Sequence, residues 1–224
     1  MTKTEPAAQL TDPRVLLVDD HDLFRTGLRN LLEEQGVQIA GECANGTEAL
    51  RAVRELAPDV VVMDLNMPGI SGVEATRQIT MVAPLTRVLV LTISDQDADV
   101  MDAILAGACG YLLKDASINE LLQGIRSAAV GESLVSPTIA AKVLQRVRAS
   151  SASRHEAEVI QSELSDREIE VLKLIANGKD NAMIAGELHI SPKTVKNHIS
   201  NILMKLQIDN RIQAAVFAVR SGIV

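Results

Sequence analysis

Over the first 130 residues, short and almost wholly apolar runs alternate with stretches of helical spacing. Val15-Leu16-Leu17-Val18 stops abruptly at Asp19-Asp20, and His21 to Glu34 follows with Leu23, Phe24, Leu28, Leu31 and Leu32 on one side. Gly36 closes that helix, and Val37 to Cys43 reads as a second strand. Gly46 to Leu56 is helical and is broken by Pro58, after which Val60 to Met63 forms an apolar strand ending at Asp64. The cycle continues with a helix over Gly72 to Val82, a strand over Val88 to Leu91 ending at Thr92, and a helix over Asp99 to Ala106. Gly110 to Leu113 is the fifth strand, ending at Lys114, and a helix from Ser117 to about Val130 completes the series. Near-continuous apolar strands separated by helices predict a doubly wound, five-stranded parallel sheet covered on both faces, an α/β domain over 14–132.

Beyond it the pattern loosens, giving a partly helical linker over 133–161. Thr138 to Arg148 fits one amphipathic helix through Ile139, Val143, Leu144 and Val147, and Ala149 to Ser153 reads as a flexible connector. Order resumes in an all-α domain over 162–224. Ser165-Asp166-Arg167-Glu168 is a capping box, S-x-x-E, leading a helix that runs to Asn177-Gly178. A short helix over Asn181 to Leu188 follows, and Ser191-Pro192 opens another with Ser as N-cap and Pro in the first turn. The last helix runs from about Arg211 to Ser221. Two helices joined by a tight turn, the second bearing the bases, have the form of a helix-turn-helix.

Composition narrows the function classes. The chain has 224 residues with 47% apolar content and a net charge of −7, so it is a folding chain of one large domain or two small ones. Cys43 and Cys109 make neither a disulfide framework nor a metal motif. Residues 1–13 form a polar tail without the apolar core of a signal peptide, and no run of 18 apolar residues exists to cross a membrane. A cytoplasmic location with no membrane partner is therefore expected. Trp is absent and only Phe24, Tyr111 and Phe217 are aromatic, which disfavours recognition by stacking. From Ser191 onward five bases face one acid, so the basic tail of an otherwise acidic chain is the region suited to a polyanion.

Asp19-Asp20, Asp64, Thr92 and Lys114 all fall at or just past carboxyl ends of strands, the edge where open α/β sheets assemble their sites. Any one of them alone suits a loop or a cap; together they bring carboxylates, a hydroxyl and an ammonium to one rim. Clustered carboxylates repel unless a hard cation relieves them, and Mg²⁺ prefers such oxygen ligands. Asp64 can act as a carboxylate nucleophile toward phosphorus, Lys114 can neutralise the transferred group, and Thr92 can hydrogen-bond its oxygens. His21, beside two acids, could be a metal ligand, but a surface helix cap is the simpler reading. Gly107 and Gly110 read as turn residues.

These residues carry a resemblance. Val15 to Leu113 resembles the receiver domain of bacterial two-component response regulators: Asp19-Asp20, Val62-Met63-Asp64-Leu65-Asn66-Met67-Pro68-Gly69, Leu91-Thr92 and Tyr111-Leu112-Leu113-Lys114 stand in the matching places. Leu164 to Leu172 and Ser191-Pro192-Lys193-Thr194-Val195-Lys196-Asn197-His198 resemble the LuxR-type helix-turn-helix. Together they imply a NarL/FixJ-type transcriptional regulator with a flavodoxin-like receiver. The resemblance implies Asp64 as phosphoacceptor, a sensor histidine kinase as phosphodonor, and Mg²⁺ held by Asp19, Asp20, Asp64 and the main-chain carbonyl of Asn66. Thr92 and Tyr111 would form the switch pair, although a lone Tyr can equally be packing at a domain edge. One departure stands out: Asn181-Ala182-Met183-Ile184-Ala185 lacks the Lys-Glu common at its second and third positions, which removes a possible phosphate contact.

In the helix opened by Ser191-Pro192, Val195, Ile199, Ile202 and Leu206 form an apolar stripe. Lys193, Lys196, Asn197, Ser200, Asn201 and Met204 lie opposite. Lys can neutralise phosphate or bind guanine, and Asn can pair with adenine edges in the major groove. His198 and Lys205 flank this face; with Thr194 they complete the set expected at double-stranded DNA. The small apolar residues Ala214, Ala215, Val216, Ala218 and Val219 suit packing within the domain, and the family adds a homodimer contact on phosphorylation. Aspartyl-phosphate chemistry also occurs in dehalogenase-type phosphatases, but those place a second Asp two residues after the nucleophile, where this chain has Asn66. No enzymatic role is expected beyond Mg²⁺-dependent transfer of a phosphoryl group onto Asp64 itself. A constitutive DNA-binding protein whose receiver only mediates contacts is the other rival.

Overall fold

The computed structural model describes residues 13–94, 96–133 and 164–223. The N-terminal tail before Pro13, the helix expected over Thr138 to Arg148, the connector and His155 lie outside them. Five parallel strands, β1 (Arg14–Val18), β2 (Gln38–Cys43), β3 (Val60–Met63), β4 (Arg87–Thr92) and β5 (Gly110–Leu113), form one sheet in the order β2-β1-β3-β4-β5. The helices α1 (Asp22–Glu34), α2 (Gly46–Leu56), α3 (Gly72–Val82), α4 (Asp97–Leu105) and α5 (Ile118–Ala129) cross between and after them.

Alternation along each strand sorts the core into two layers. Val15, Leu17, Val62, Leu89 and Leu112 pack with Leu121, Leu122 and Ile125 of α5, and Phe24 and Leu28 of α1 lie against them. Leu16, Val18, Val61 and Met63 face the other way, onto Ala49 and Val53 of α2 and Ala75 and Ile79 of α3. Both strand faces are thereby buried, which is why these runs are apolar throughout.

Two expectations shift. In α1 only Phe24, Leu28 and Leu32 face the sheet, whereas Leu23 is 89% exposed and Leu31 is half exposed. The core-facing residues are spaced by four, and a five-residue apolar set was wider than the stripe the sheet can cover. Helix α4 begins at Asp97 rather than Asp99, because its first turn is polar and apolar spacing begins only at Val100.

The C-terminal part is helical: α6 (Asp166–Ala176), α7 (Asn181–Leu188), α8 (Pro192–Leu206) and α9 (Arg211–Arg220). Ser165 and Glu168 form both halves of the capping box at α6, and Ser191 caps α8 through Thr194 N–H. Val171, Leu172, Ile184, Val195, Ile199, Ile202, Ala214 and Ala218 share a core of their own. Helix α9 also meets the sheet domain. Its Ile212 and Val216 are buried with Val90, Tyr111, Val100 and Ile104.

Candidate functional site

The strand ladders continue one residue past the strands, and this places the rim. Asp19 N–H donates to Cys43 O (3.1 Å), Asp64 N–H to Val18 O (2.9 Å) and Lys114 N–H to Thr92 O (2.9 Å). Each backbone is therefore held by the neighbouring strand while its side chain turns toward the same end of the sheet. Close approach of α3 helps to shape this end. A Cβ on Gly72 would lie 2.0 Å from Asp64 O, so only glycine lets the helix start there.

Lys114 Nζ sits 2.7 Å from Asp19 Oδ2 and 2.7 Å from Asp64 Oδ2, with Phe24 beneath it at 4.6 Å from the ring centroid. Both carboxylates are buried. Burial works against the ammonium, yet its hydrogen bonds to Asp19 and Asp64 outweigh that cost and raise the Lys114 pKa above the ordinary lysine value. Asn66 is exposed, and its N–H points at Asp64 Oδ1 over 3.4 Å. Asp19, Asp20, His21 and Asp64 each offer one ligand atom, all within 4.8 Å of one another. Asp20 Oδ1 is buried without a hydrogen-bond partner. Its one near polar neighbour is His21 Nδ1 at 2.9 Å, and a buried carboxylate oxygen that accepts no hydrogen bond, beside two more carboxylates, fits a hard dication.

Arg25 was not singled out by the sequence. Its Nη1 donates to Asp19 O (2.6 Å), its Nη2 to Asp22 Oδ1 (2.6 Å), and it lines the cleft with Asp19 and Asp64. The available signal was its place one helical turn after Asp22, which lets one guanidinium tie the helix start to the acidic strand end. His21 occupies the N-cap position of α1 but its side chain caps nothing.

Thr92 is fully buried at the rim, and its hydroxyl accepts Ser94 N–H over 3.4 Å. Tyr111 is also fully buried, and its hydroxyl donates to Ser94 O (2.8 Å). The two expected switch residues thus meet at one loop residue, Ser94, which was not singled out either. Tyr111 lies at a domain edge as well, since Ile212 and Val216 of α9 complete its cluster.

On α8, Val195, Ile199, Ile202 and Leu206 are buried as expected, whereas Lys193, Lys196, Asn197, Ser200 and Asn201 are exposed. Thr194 and His198 are half-buried, with Thr194 Oγ1 2.8 Å from Ser191 Oγ. Two cations of this set are engaged within the chain. Lys196 Nζ donates to Val130 O (2.6 Å) just past α5, and Lys205 Nζ pairs with the buried Glu168 (2.7 Å). No helix among the described residues is long and apolar enough to cross a membrane.

Residues 15–126 match the response regulator receiver domain, and residues 162–218 match the LuxR family of bacterial regulatory proteins. The chain belongs to the LuxR-family two-component response regulators. This response regulator is 45% identical over 214 residues to the transcriptional regulatory protein LiaR of Bacillus subtilis (strain 168), covering 94% of this chain and 99% of LiaR. The crystal structure of ChrA, a response regulator in a heme-sensing two-component system, matches at 35% identity with a TM-score of 0.53, over 96% of this chain and 100% of that one. A structure of two RcsB dimers bound to two parallel DNAs matches at 25% identity with a TM-score of 0.55, over 95% of this chain and 100% of that one.

Proposed function

We propose that phosphorylation of Asp64 by a sensor histidine kinase switches this regulator between a closed form and a dimeric form that binds double-stranded DNA. The observation that carries the proposal is the Lys114 ammonium bridging Asp19 and Asp64 at 2.7 Å each. A fixed positive charge beside Asp64 supports this reading, because transferred phosphoryl oxygens need one. An Asp64 carboxylate oxygen attacks the phosphorus of the kinase phosphohistidine. As the new O–P bond forms the P–N bond breaks, and the imidazole leaves with the electron pair. Lys114 then releases Asp64 Oδ2 to pair with the phosphoryl group, and the Thr92 hydroxyl donates to another of its oxygens. Asp19, Asp20, Asp64 and the main-chain carbonyl of Asn66 hold Mg²⁺, which when bound neutralises part of the phosphoryl charge. The chain performs no other reaction.

The domains are a receiver over 14–132, a linker over 133–161 and a DNA-binding domain over 162–224. Movement of Thr92 toward the phosphoryl group leaves space for Tyr111, and this disturbs the cluster that holds Ile212 and Val216. The DNA-binding domain is released, Lys196 leaves Val130, and the face of Lys193, Thr194, Lys196, Asn197, His198, Ser200, Asn201 and Lys205 meets the major groove and its phosphates. A symmetric homodimer presents two such faces to two half-sites, in keeping with the dimers named for RcsB. The protein works in the cytoplasm, where kinase output and DNA meet. Incubation with acetyl phosphate and Mg²⁺, followed by intact mass and peptide mapping, tests the assignment. One added phosphoryl group on Asp64 is expected; stoichiometric modification elsewhere overturns it.

A further inference from the structure

A second cleft lies between the receiver and the helical domain. Arg87, Val130 and Glu132 line it from the receiver, and Asn181, Lys196 and Arg211 from the other side. Arg87 is the first residue of β4 and Thr92 the last, so the cleft stands at the opposite end of the sheet from the Asp64 rim. Its volume is about 150 Å³, and its lining carries three cations, Arg87, Lys196 and Arg211, against one acid, Glu132.

None of these cations is in ion-pair contact with a carboxylate among the described residues. Lys196 Nζ donates to Val130 O (2.6 Å). Arg211 donates to Asn181 Oδ1 (2.7 Å) and to Lys179 O. The Arg87 side chain makes no hydrogen bond among the described residues. Glu132 is engaged elsewhere, its Oε1 accepting Asn181 Nδ2 (3.0 Å). Burial lowers the Arg211 pKa below the ordinary arginine value, against the opposing charges of Glu132 and Asp180. Arg211 also begins α9, where the helix dipole adds positive potential. Like charges gathered in this way repel, and an anion among them relieves the repulsion.

We infer that this cleft binds a small phosphate compound, inorganic phosphate or a small phosphomonoester, and that the bound anion holds the DNA-binding domain against the receiver. The lining nets two positive charges, which matches a phosphate group of about −1.5 to −2 at neutral pH. Guanidinium forks suit phosphate oxygens bidentately, and the ammonium adds a point charge. The volume falls below the roughly 300–1,000 Å³ of sites for drug-sized ligands, so a nucleotide is too large. Because the cations come from both domains, the site is whole only in the closed form, and a ligand favours the state it binds better. Lys196 also belongs to the proposed groove face, so the anion and DNA compete for it. The inference rests on the proposed switch and deepens it: a phosphate compound raises the threshold that phosphorylation of Asp64 must overcome.

Calorimetric titration of the full chain with inorganic phosphate and with glycerol 3-phosphate tests the site, using wild type and Arg87→Gln at constant ionic strength. Arg87 has no hydrogen bond to lose, and circular dichroism checks that the variant folds. Wild type should bind at least one of the two, the tighter naming the source, and Arg87→Gln should bind it at least about tenfold more weakly, the cost of one hydrogen bond to a charged group. No binding by wild type, or equal binding by the variant, overturns the site. Mobility shifts read the closing role: a ligand concentration of ten times its Kd should lower wild-type DNA affinity by up to about tenfold and leave Arg87→Gln unchanged. Wild-type DNA affinity that ignores the ligand overturns that role. Acetyl phosphate with Mg²⁺ should still tighten DNA binding by Arg87→Gln. If it does while wild type binds neither compound, only the cleft site fails. If it tightens neither protein, the proposed switch falls and takes the closing role with it.

Discussion

Asn210 Nδ2 donates to the main-chain carbonyl of Ala108, 3.0 Å away and 102 residues earlier in the chain. The same side chain caps α9 with its oxygen, accepting Ile212 N–H and Gln213 N–H at 3.0 Å each. One buried amide therefore both starts the last helix and fastens it to the receiver. Gln213 adds a second bond, from Nε2 to Ile104 O (3.0 Å). Under the proposed switch these are the contacts to be broken.

Asn210→Asp separates the two jobs. Asp caps a helix as well as Asn does, but it has no N–H to give Ala108 and sets a carboxylate against a carbonyl. The closed form should weaken by about 1–3 kcal/mol, the cost of leaving buried polar groups unpaired. The expected outcome is tighter DNA binding without phosphodonor, seen in mobility-shift titrations, with helix content by circular dichroism unchanged.

Lys114→Met removes the cation shared by two buried carboxylates. Breaking a buried pair by deleting one partner typically costs about 3–5 kcal/mol. Without divalent ions the variant should unfold in less urea than wild type, and added Mg²⁺ should recover part of the difference. A variant as stable as wild type in chelator would show that the bridge contributes nothing to the fold.

Glu168 carries a stability effect with a defined sign. Burial disfavours its charge, but hydrogen bonds from Lys205 and Ser165 outweigh this and lower its pKa below the ordinary glutamate value. A lowered folded pKa means the contribution is complete above the unfolded value and is lost as pH falls through the folded one. Glu168→Gln should thus destabilise the helical domain near neutral pH and flatten its loss of stability below about pH 4, around the unperturbed glutamate pKa. Thermal melts across that range read the slope directly.

On α8, replacing Lys196 or Asn197 by Ala should weaken specific DNA binding by about 1–3 kcal/mol and relax preference at particular base pairs. Lys205→Ala should weaken all sequences alike and flatten the salt dependence, and because Lys205 also pairs with Glu168 it should lower the melting temperature too. Competition with random DNA at several salt concentrations distinguishes the two patterns.

The rim was legible because each site residue ends an apolar strand, and the break from apolar to polar shows in the sequence itself. The buried stripe of α8 was legible for a related reason, since spacings of three and four need only local geometry. Partners far along the chain left no such mark. Helix α9 reads as unusually small and apolar, but it divides into Ala214 and Ala218, facing their own domain, and Ile212 and Val216, facing the receiver. Arg25 looks like any surface base until Asp19 O is found beside it, and His21 looks like a helix cap until its ring is seen turned to the acids. Lys205 reads as a groove-flanking base, and its pairing with Glu168 depends on a residue 37 positions away.

The most direct measurement is the affinity of wild type and Asp64→Asn for a target DNA half-site pair, each with and without acetyl phosphate and Mg²⁺. Wild type should tighten on treatment and gain mass as a dimer, while Asp64→Asn, folded but lacking the nucleophile, should not change. Untreated wild type that is already as dimeric and as tight a binder as the treated protein would contradict phosphorylation of Asp64 as the switch.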